Sequence, residues 1–133
     1  MSRRTIDAAN APDAIGPYSH AATAPGAGLL YLSGQTPIDP RTGQLVDGDI
    51  KKQTRQVFAN LEAVLTAAHR TPADVIKVNV YLISMADFAA VNDIYAEVFE
   101  SPYPARTTVA VAELPRGARV EIEAIAAQDQ APQ

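Results

Sequence analysis

Residues 104–127 read PARTTVAVAELPRGARVEIEAIAA, and the way this stretch folds decides the sheet. Two segments, "ARTTVAVAEL" (105–114) and "ARVEIEAIAA" (118–127), flank the turn sequence "PRG" (115–117). Their branched residues suit a pleated surface, so the pattern predicts a β-hairpin. One cation, Arg106, heads the stretch, and two carboxylates, Glu121 and Glu123, lie near its end among residues that otherwise suit buried strand. Side chains alternate across a strand, so Glu121 and Glu123 share a face with Ile125 and Ala127.

Working outward, "MADFAAVNDIYAEVFE" (85–100) repeats apolar residues at helical spacing through Phe88, Val91, Ile94, Tyr95 and Val98, and Pro102 and Pro104 stop it. Before it, "DVIKVNVYLIS" (74–84) reads as a strand. From Asp49 to His69, residues Ile50, Val57, Leu61, Val64, Leu65 and Ala68 make an amphipathic helix with Asp49 as its N-cap. "PIDPRTGQLV" (37–46) reads as a loop, "SHAATA" (19–24) and "LLYLSGQT" (29–36) as strands joined at "PGAG", and "RRTIDA" (3–8) as an edge strand. The expected order is βββαβαββ in a single α+β domain spanning residues 1–133, with 128–133 a frayed tail. Two helices cover one face of a six-stranded sheet, and the other face needs a cover that a second copy of the chain supplies most economically.

The overall charge of −4 disfavours a nucleic-acid partner, because binding to a phosphate backbone needs surplus Lys and Arg. It leaves room for a small anion held by one arginine. Without cysteine there is no disulfide, thiolate nucleophile or Cys-based metal site. His20 and His69 stand far apart with no carboxylate at ligand spacing, so no metal site is expected. Arg3 and Arg4 are followed by "TIDAANAPDA" where a signal peptide needs an apolar run, and no stretch approaches the roughly 18 apolar residues of a membrane span. The expectation is a soluble, cytoplasmic protein.

Several residues carry two readings at this level. A guanidinium matches a carboxylate with two parallel hydrogen bonds, so Arg106, at a loop-to-strand junction, is either a ligand clamp or the partner of Glu121, Glu123 or a surface acid. Glu121 and Glu123 lie on a solvated face, or else one of them is a half-buried acid able to handle protons near neutral pH. Tyr18 follows a Gly-Pro turn and either projects into a site or fills a sheet edge. Ser33 and Gly34 interrupt an apolar strand as a bulge or as a place of close backbone approach. Asn92 makes a contact from its helix or faces water. His69 sits where a helix C-terminus attracts such a residue. Ser19 and His20 are adjacent, and on a strand they would point to opposite faces, which argues against a Ser-His nucleophile pair.

Taken together, "AIGPYSHA", "LYLSGQTPIDPRTGQLV", "QTRQVFANLEAVL", "VNDIYAEVF" and the 104–127 stretch resemble the RidA (YjgF) family of enamine/imine deaminases, from about residue 3 to residue 127. The resemblance implies a chorismate-mutase-like fold and a homotrimer with ligand sites at the subunit clefts. It also implies cofactor-free hydrolysis of 2-enamine and 2-imine acids, such as 2-aminoacrylate and 2-iminopropanoate, to 2-oxo acids and ammonium. It assigns Arg106 to the substrate carboxylate and Glu121 to the attacking water, with Tyr18, Ser33, Gly34, Asn92 and Thr108 as pocket positions. Several deaminases of the family have cysteine where this chain has Thr108. Other roles compatible with the resemblance are a non-catalytic carboxylate-binding regulator, a deaminase of another enamine such as aminomuconate, and the ribonuclease role attached to some relatives.

Overall fold

The computed structural model describes residues 2–128. Its main sheet contains β1 (Arg4–Ile6), β2 (Ala21–Thr23), β3 (Leu29–Gln35), β6 (Val75–Leu82), β7 (Ala105–Ala110) and β8 (Val120–Ala127), in the spatial order β1-β2-β3-β8-β6-β7. Helices α1 (Ile50–Ala67) and α2 (Phe88–Val98) complete the expected α+β order. The segment 37–46, expected to be loop, holds a small antiparallel ribbon of β4 (Ile38–Asp39) and β5 (Gln44–Leu45), outside the main sheet. Ser19 and His20 precede β2 and are not part of it. Of the expected tail, all but Gln128 lies outside the described residues, and the Gln128 N–H donates to the Gly28 carbonyl at 3.0 Å.

The hairpin expected in 104–127 does not form. β7 runs parallel to β6, with Arg106 opposite Val78, while β8 pairs antiparallel with β6 on one side and β3 on the other. The strand β6 therefore separates the two segments. Both are strands, as their residues require, but burial sorts them. The inward positions of β8 are Val120, Ile122, Ala124 and Ala126, all buried, which suits the middle of a sheet. The equivalent positions of β7 are Arg106 and Thr108, which suit a rim. The α2 crossover lays β7 alongside β6 in parallel, as strands linked through a helix usually are. The connection 111–119 then passes the end of β6, with the Val111 N–H donating to Leu82 O at 2.7 Å.

The core fills the space between the sheet and both helices. Leu30, Val78, Val80, Leu82, Val120 and Ile122 face Val57, Phe58, Leu61 and Val64 of α1 and Val91 and Ile94 of α2, each burial contributing on the order of 1.5–3 kcal/mol. Asp49 caps α1 by accepting the Lys52 N–H at 2.9 Å. The helix ends with His69 in the left-handed region, φ 60°, and with Arg70 N–H to Leu65 O (2.8 Å) and His69 N–H to Thr66 O (2.9 Å). This closure satisfies carbonyls that the last turn would otherwise leave unpaired, so His69 acts through its backbone. On the opposite face of the sheet no element among the described residues packs across Tyr31, Ile125 and Val109, and Tyr31 and Val109 are 53% and 41% exposed.

Candidate active site

Cross-strand partners share a face, and Val78, opposite Arg106, is buried beneath the helices. Arg106 therefore points to the helix side of the rim strand. There its guanidinium carbon lies 4.7 Å from the centre of the Tyr95 ring and 5.6 Å from that of Phe88, a cation–π seat contributing about 0.5–2 kcal/mol. Its Nη1 donates to the Asn92 Oδ1 at 2.7 Å. Phe88, Asn92 and Tyr95 follow one another at three- and four-residue steps on α2 and so present one face to the arginine. The concavity is completed by Ala96, Tyr103 and Pro104. A guanidinium has five N–H donors, so the bond to Asn92 leaves enough to grip a carboxylate. Among the described residues Arg106 makes no ion pair, and this removes the reading that paired it with Glu121 or Glu123. Burial pushes the Tyr95 phenol up, while the Arg106 charge pulls it the other way.

A second concavity lies on the open face of the sheet, lined by Ile15, Tyr18, Ser33, Gly34, Thr36, Pro115, Glu121 and Glu123. Glu121 and Glu123 stand opposite Tyr81 and Asn79 in the register with β6. Between Leu32 and Gln35 the pairing of β3 with β8 shifts, so Ser33 and Gly34 form the bulge that the sequence allowed. The same bulge makes the close approach. A side chain on Gly34 would overlap the Glu121 Oε2 and lie 3.0 Å from its Cδ, so the carboxylate rests directly on the glycine backbone. Burial raises the Glu121 carboxyl above its ordinary 4.5, and the Glu123 negative charge acts in the same direction.

The surroundings of the bulge are fixed by polar contacts. Ser33 donates through its hydroxyl to Ser19 O at 2.6 Å and through its N–H to His20 O at 2.9 Å. The buried His20 ring accepts the Ala8 N–H at Nδ1 (2.8 Å) and faces Pro12 O with Nε2 (2.7 Å), so its proton belongs on Nε2. His20 is thus a tether for residues 8–12. The Tyr18 ring turns back over Gly16, and the Tyr18 oxygen accepts a long bond from the Ile15 N–H, 3.4 Å.

Tyr18, Ser33, Gly34 and Glu121 are therefore brought together, as are Asn92 and Arg106, but the two groups occupy opposite faces of one sheet. Thr108 points to the Arg106 side without lining its concavity, and its hydroxyl is buried with no hydrogen-bond partner among the described residues. The sequence reading did not single out Phe88 or Tyr95, whose helical spacing looked like ordinary core. It left Glu123 unassigned, and the structure shows its Oε2 accepting from Asn79 Nδ2 (3.0 Å) and from the Tyr81 hydroxyl (2.7 Å). Among the described residues no group of three or more His, Asp or Glu side chains could hold a metal ion.

The likeness to known proteins spans nearly the whole chain. The sequence model of the endoribonuclease L-PSP family matches residues 8–128. A RutC family protein of Pyrococcus horikoshii is 52% identical over 93% of this chain and 97% of its own length. A 2-iminobutanoate/2-iminopropanoate deaminase of Dermatophagoides farinae is 46% identical, with 92% of this chain and 94% of the relative covered. Among solved structures, the yeast protein YEO7 superposes with a TM-score of 0.91 at 40% identity, over 96% of this chain and all of that one.

Proposed function

The chain belongs to the endoribonuclease L-PSP family, which is the RidA (YjgF) family, and from that premise we propose that it hydrolyses 2-enamine and 2-imine acids to 2-oxo acids and ammonium. The observation that carries the proposal is that one chain presents both an arginine without an ion pair among the described residues and a half-buried acid whose pKa is raised. A 2-imino acid has a carboxylate beside its C=N carbon. Arg106, seated on Tyr95 and oriented by Asn92, holds that carboxylate and so presents the carbon. Glu121, at the Gly34 bulge, takes a proton from water as the oxygen adds to the carbon. Glu121 passes that proton to the nitrogen of the resulting carbinolamine; as the C–N bond breaks, its electron pair leaves with ammonia, the hydroxyl proton returns to Glu121 and then to the ammonia, and the 2-oxo acid and ammonium leave. The iminium is already a strong electrophile, so orientation and proton transfer suffice, without metal or organic cofactor. Tyr18, Ser33 and Gly34 line the Glu121 side of the pocket, and Thr108 stands two residues from Arg106 on the same face of β7 without lining it.

Because the arginine and the glutamate lie on opposite faces of the sheet, one chain does not bring them together. The proposal therefore includes assembly: each cleft joins the Arg106 rim of one subunit to the Glu121 face of the next, in a homotrimer that also covers Tyr31 and Val109. The protein's place is the cytoplasm, where it removes reactive imines released by pyridoxal-phosphate-dependent dehydratases. No helix among the described residues is long and apolar enough to cross a membrane.

The test couples a dehydratase that releases 2-aminoacrylate to detection of the 2-oxo acid. Acceleration over spontaneous hydrolysis is expected, and its absence would defeat the proposal. Arg106→Ala removes a charge-assisted bidentate contact worth roughly 1.5–3 kcal/mol per bond, and a loss of at least tenfold in kcat/KM with the oligomeric mass unchanged is expected.

A further inference from the structure

Two carboxylates enter the same concavity, and they are held differently. Glu123 is fixed: its Oε2 takes one hydrogen bond from Asn79 and one from Tyr81, both on the inner strand β6. Glu121 rests on the Gly34 backbone, and no hydrogen bond contributes to its titration. The two are separated by a single residue on one face of β8, which places their Cα atoms roughly 7 Å apart. At that distance two like charges repel measurably, and the member better supplied with donors holds its charge.

We propose that Glu123 is a positioning residue: clamped by Asn79 and Tyr81, it keeps a fixed negative charge beside Glu121 and so makes Glu121 the proton-carrying member of the pair. The inference rests on the deaminase reading of this site and extends it by giving the two carboxylates separate tasks. The other titratable groups at the concavity are Tyr18, from the loop before β2, and Tyr81, from β6. β3 contributes only Ser33, Gly34 and Thr36 there or just beyond its end. Arg116, next to Pro115, turns its guanidinium to Gly43 O at 2.8 Å. On the same face of β6, Lys77 places its Nζ on the Thr107 hydroxyl at 2.9 Å, and among the described residues Glu123 forms no ion pair with it or with any other cation; Lys77 and, in the proposed trimer, the neighbouring subunit's arginine act alike on wild type and variants. Glu123 also raises the Tyr81 phenol, chiefly through the hydrogen bond between them, which keeps Tyr81 a donor over the working pH range.

Glu123→Gln keeps an acceptor oxygen for Asn79 and Tyr81 while removing the charge. The Glu121 carboxyl is followed by carbon NMR titration, its resonance assigned by its disappearance in Glu121→Gln. In Glu123→Gln the midpoint is expected about 0.5–1 pH unit lower, and the acid limb of kcat/KM should move with it. Tyr81→Phe releases one of the two bonds that fix Glu123, so a smaller displacement in the same direction is expected. A Glu121 midpoint unmoved in both variants overturns the inference. The titration is read without turnover, so a moved midpoint in a protein with no deaminase activity supports the carboxylate pairing while overturning the functional proposal.

Discussion

Gly34 is the residue on which the geometry of the acid depends. A methyl there would overlap the Glu121 carboxylate, which is the far end of a flexible side chain and can move away. Gly34→Ala should therefore fold, with a loss of at least about tenfold in kcat, because the proton acceptor is displaced by an ångström or more. Circular dichroism beside the coupled assay checks both parts. Glu121 itself makes activity and stability oppose each other. Its folded pKa is raised, so between the ordinary 4.5 and the folded value the native state binds more protons than the unfolded one, and stability falls as pH rises through that window. Glu121→Gln should then melt higher than wild type at pH 7, the difference vanishing below 4.5, while its deaminase rate collapses. Equal melting temperatures at pH 7 would contradict the burial that raises this group. At this scale the sequence was legible where chemistry is local. A lone guanidinium after a proline turn, and a glutamate among aliphatic residues, can each be suspected from neighbours in the chain. Glu123 could not be assigned, because Asn79 and Tyr81 reach it only through the register of β6 with β8.

Elements were easier to find than their partners. Alternation and branched residues identify β7 and β8 as strands, but a period of two carries no information about which strand lies alongside. The intervening α2 crossover and the apolar load of the inward face settled that, and the second signal was present in the sequence: Arg106 and Thr108 against Val120, Ile122, Ala124 and Ala126. The helix boundaries were more legible because caps are local. Asp49 is the N-cap of α1, and α1 packs on both β3 and β8, so its first turn bears on the whole core. Asp49→Ala should cost about 1 kcal/mol in urea unfolding with an unchanged denaturant slope. A neutral result would mean that the Lys52 N–H finds water as good a partner.

For the whole molecule, the placement of Arg106 and Glu121 on opposite faces gives a sharp test by mixing. If the protein is the proposed trimer, Arg106→Ala and Glu121→Gln preparations, each expected to be inactive, are unfolded together and refolded. Random assembly makes about three quarters of the trimers mixed, each with one intact cleft in three, so about one quarter of wild-type activity is expected. No recovery would overturn the shared cleft, and light scattering on the same sample gives the stoichiometry. A net charge of −4 and an Arg106 without an ion pair among the described residues also fit a small organic anion better than RNA, whatever the family's endoribonuclease description. The rim position of β7 has a further consequence for how such a protein diverges. On the proposed reading, the groups that recognise the carboxylate lie on the outermost strand and on α2, while the groups that move protons lie on inner strands locked by the core. Heritable changes at the rim can therefore alter which acids are accepted without disturbing proton transfer, so substrate range and catalytic chemistry are free to drift separately.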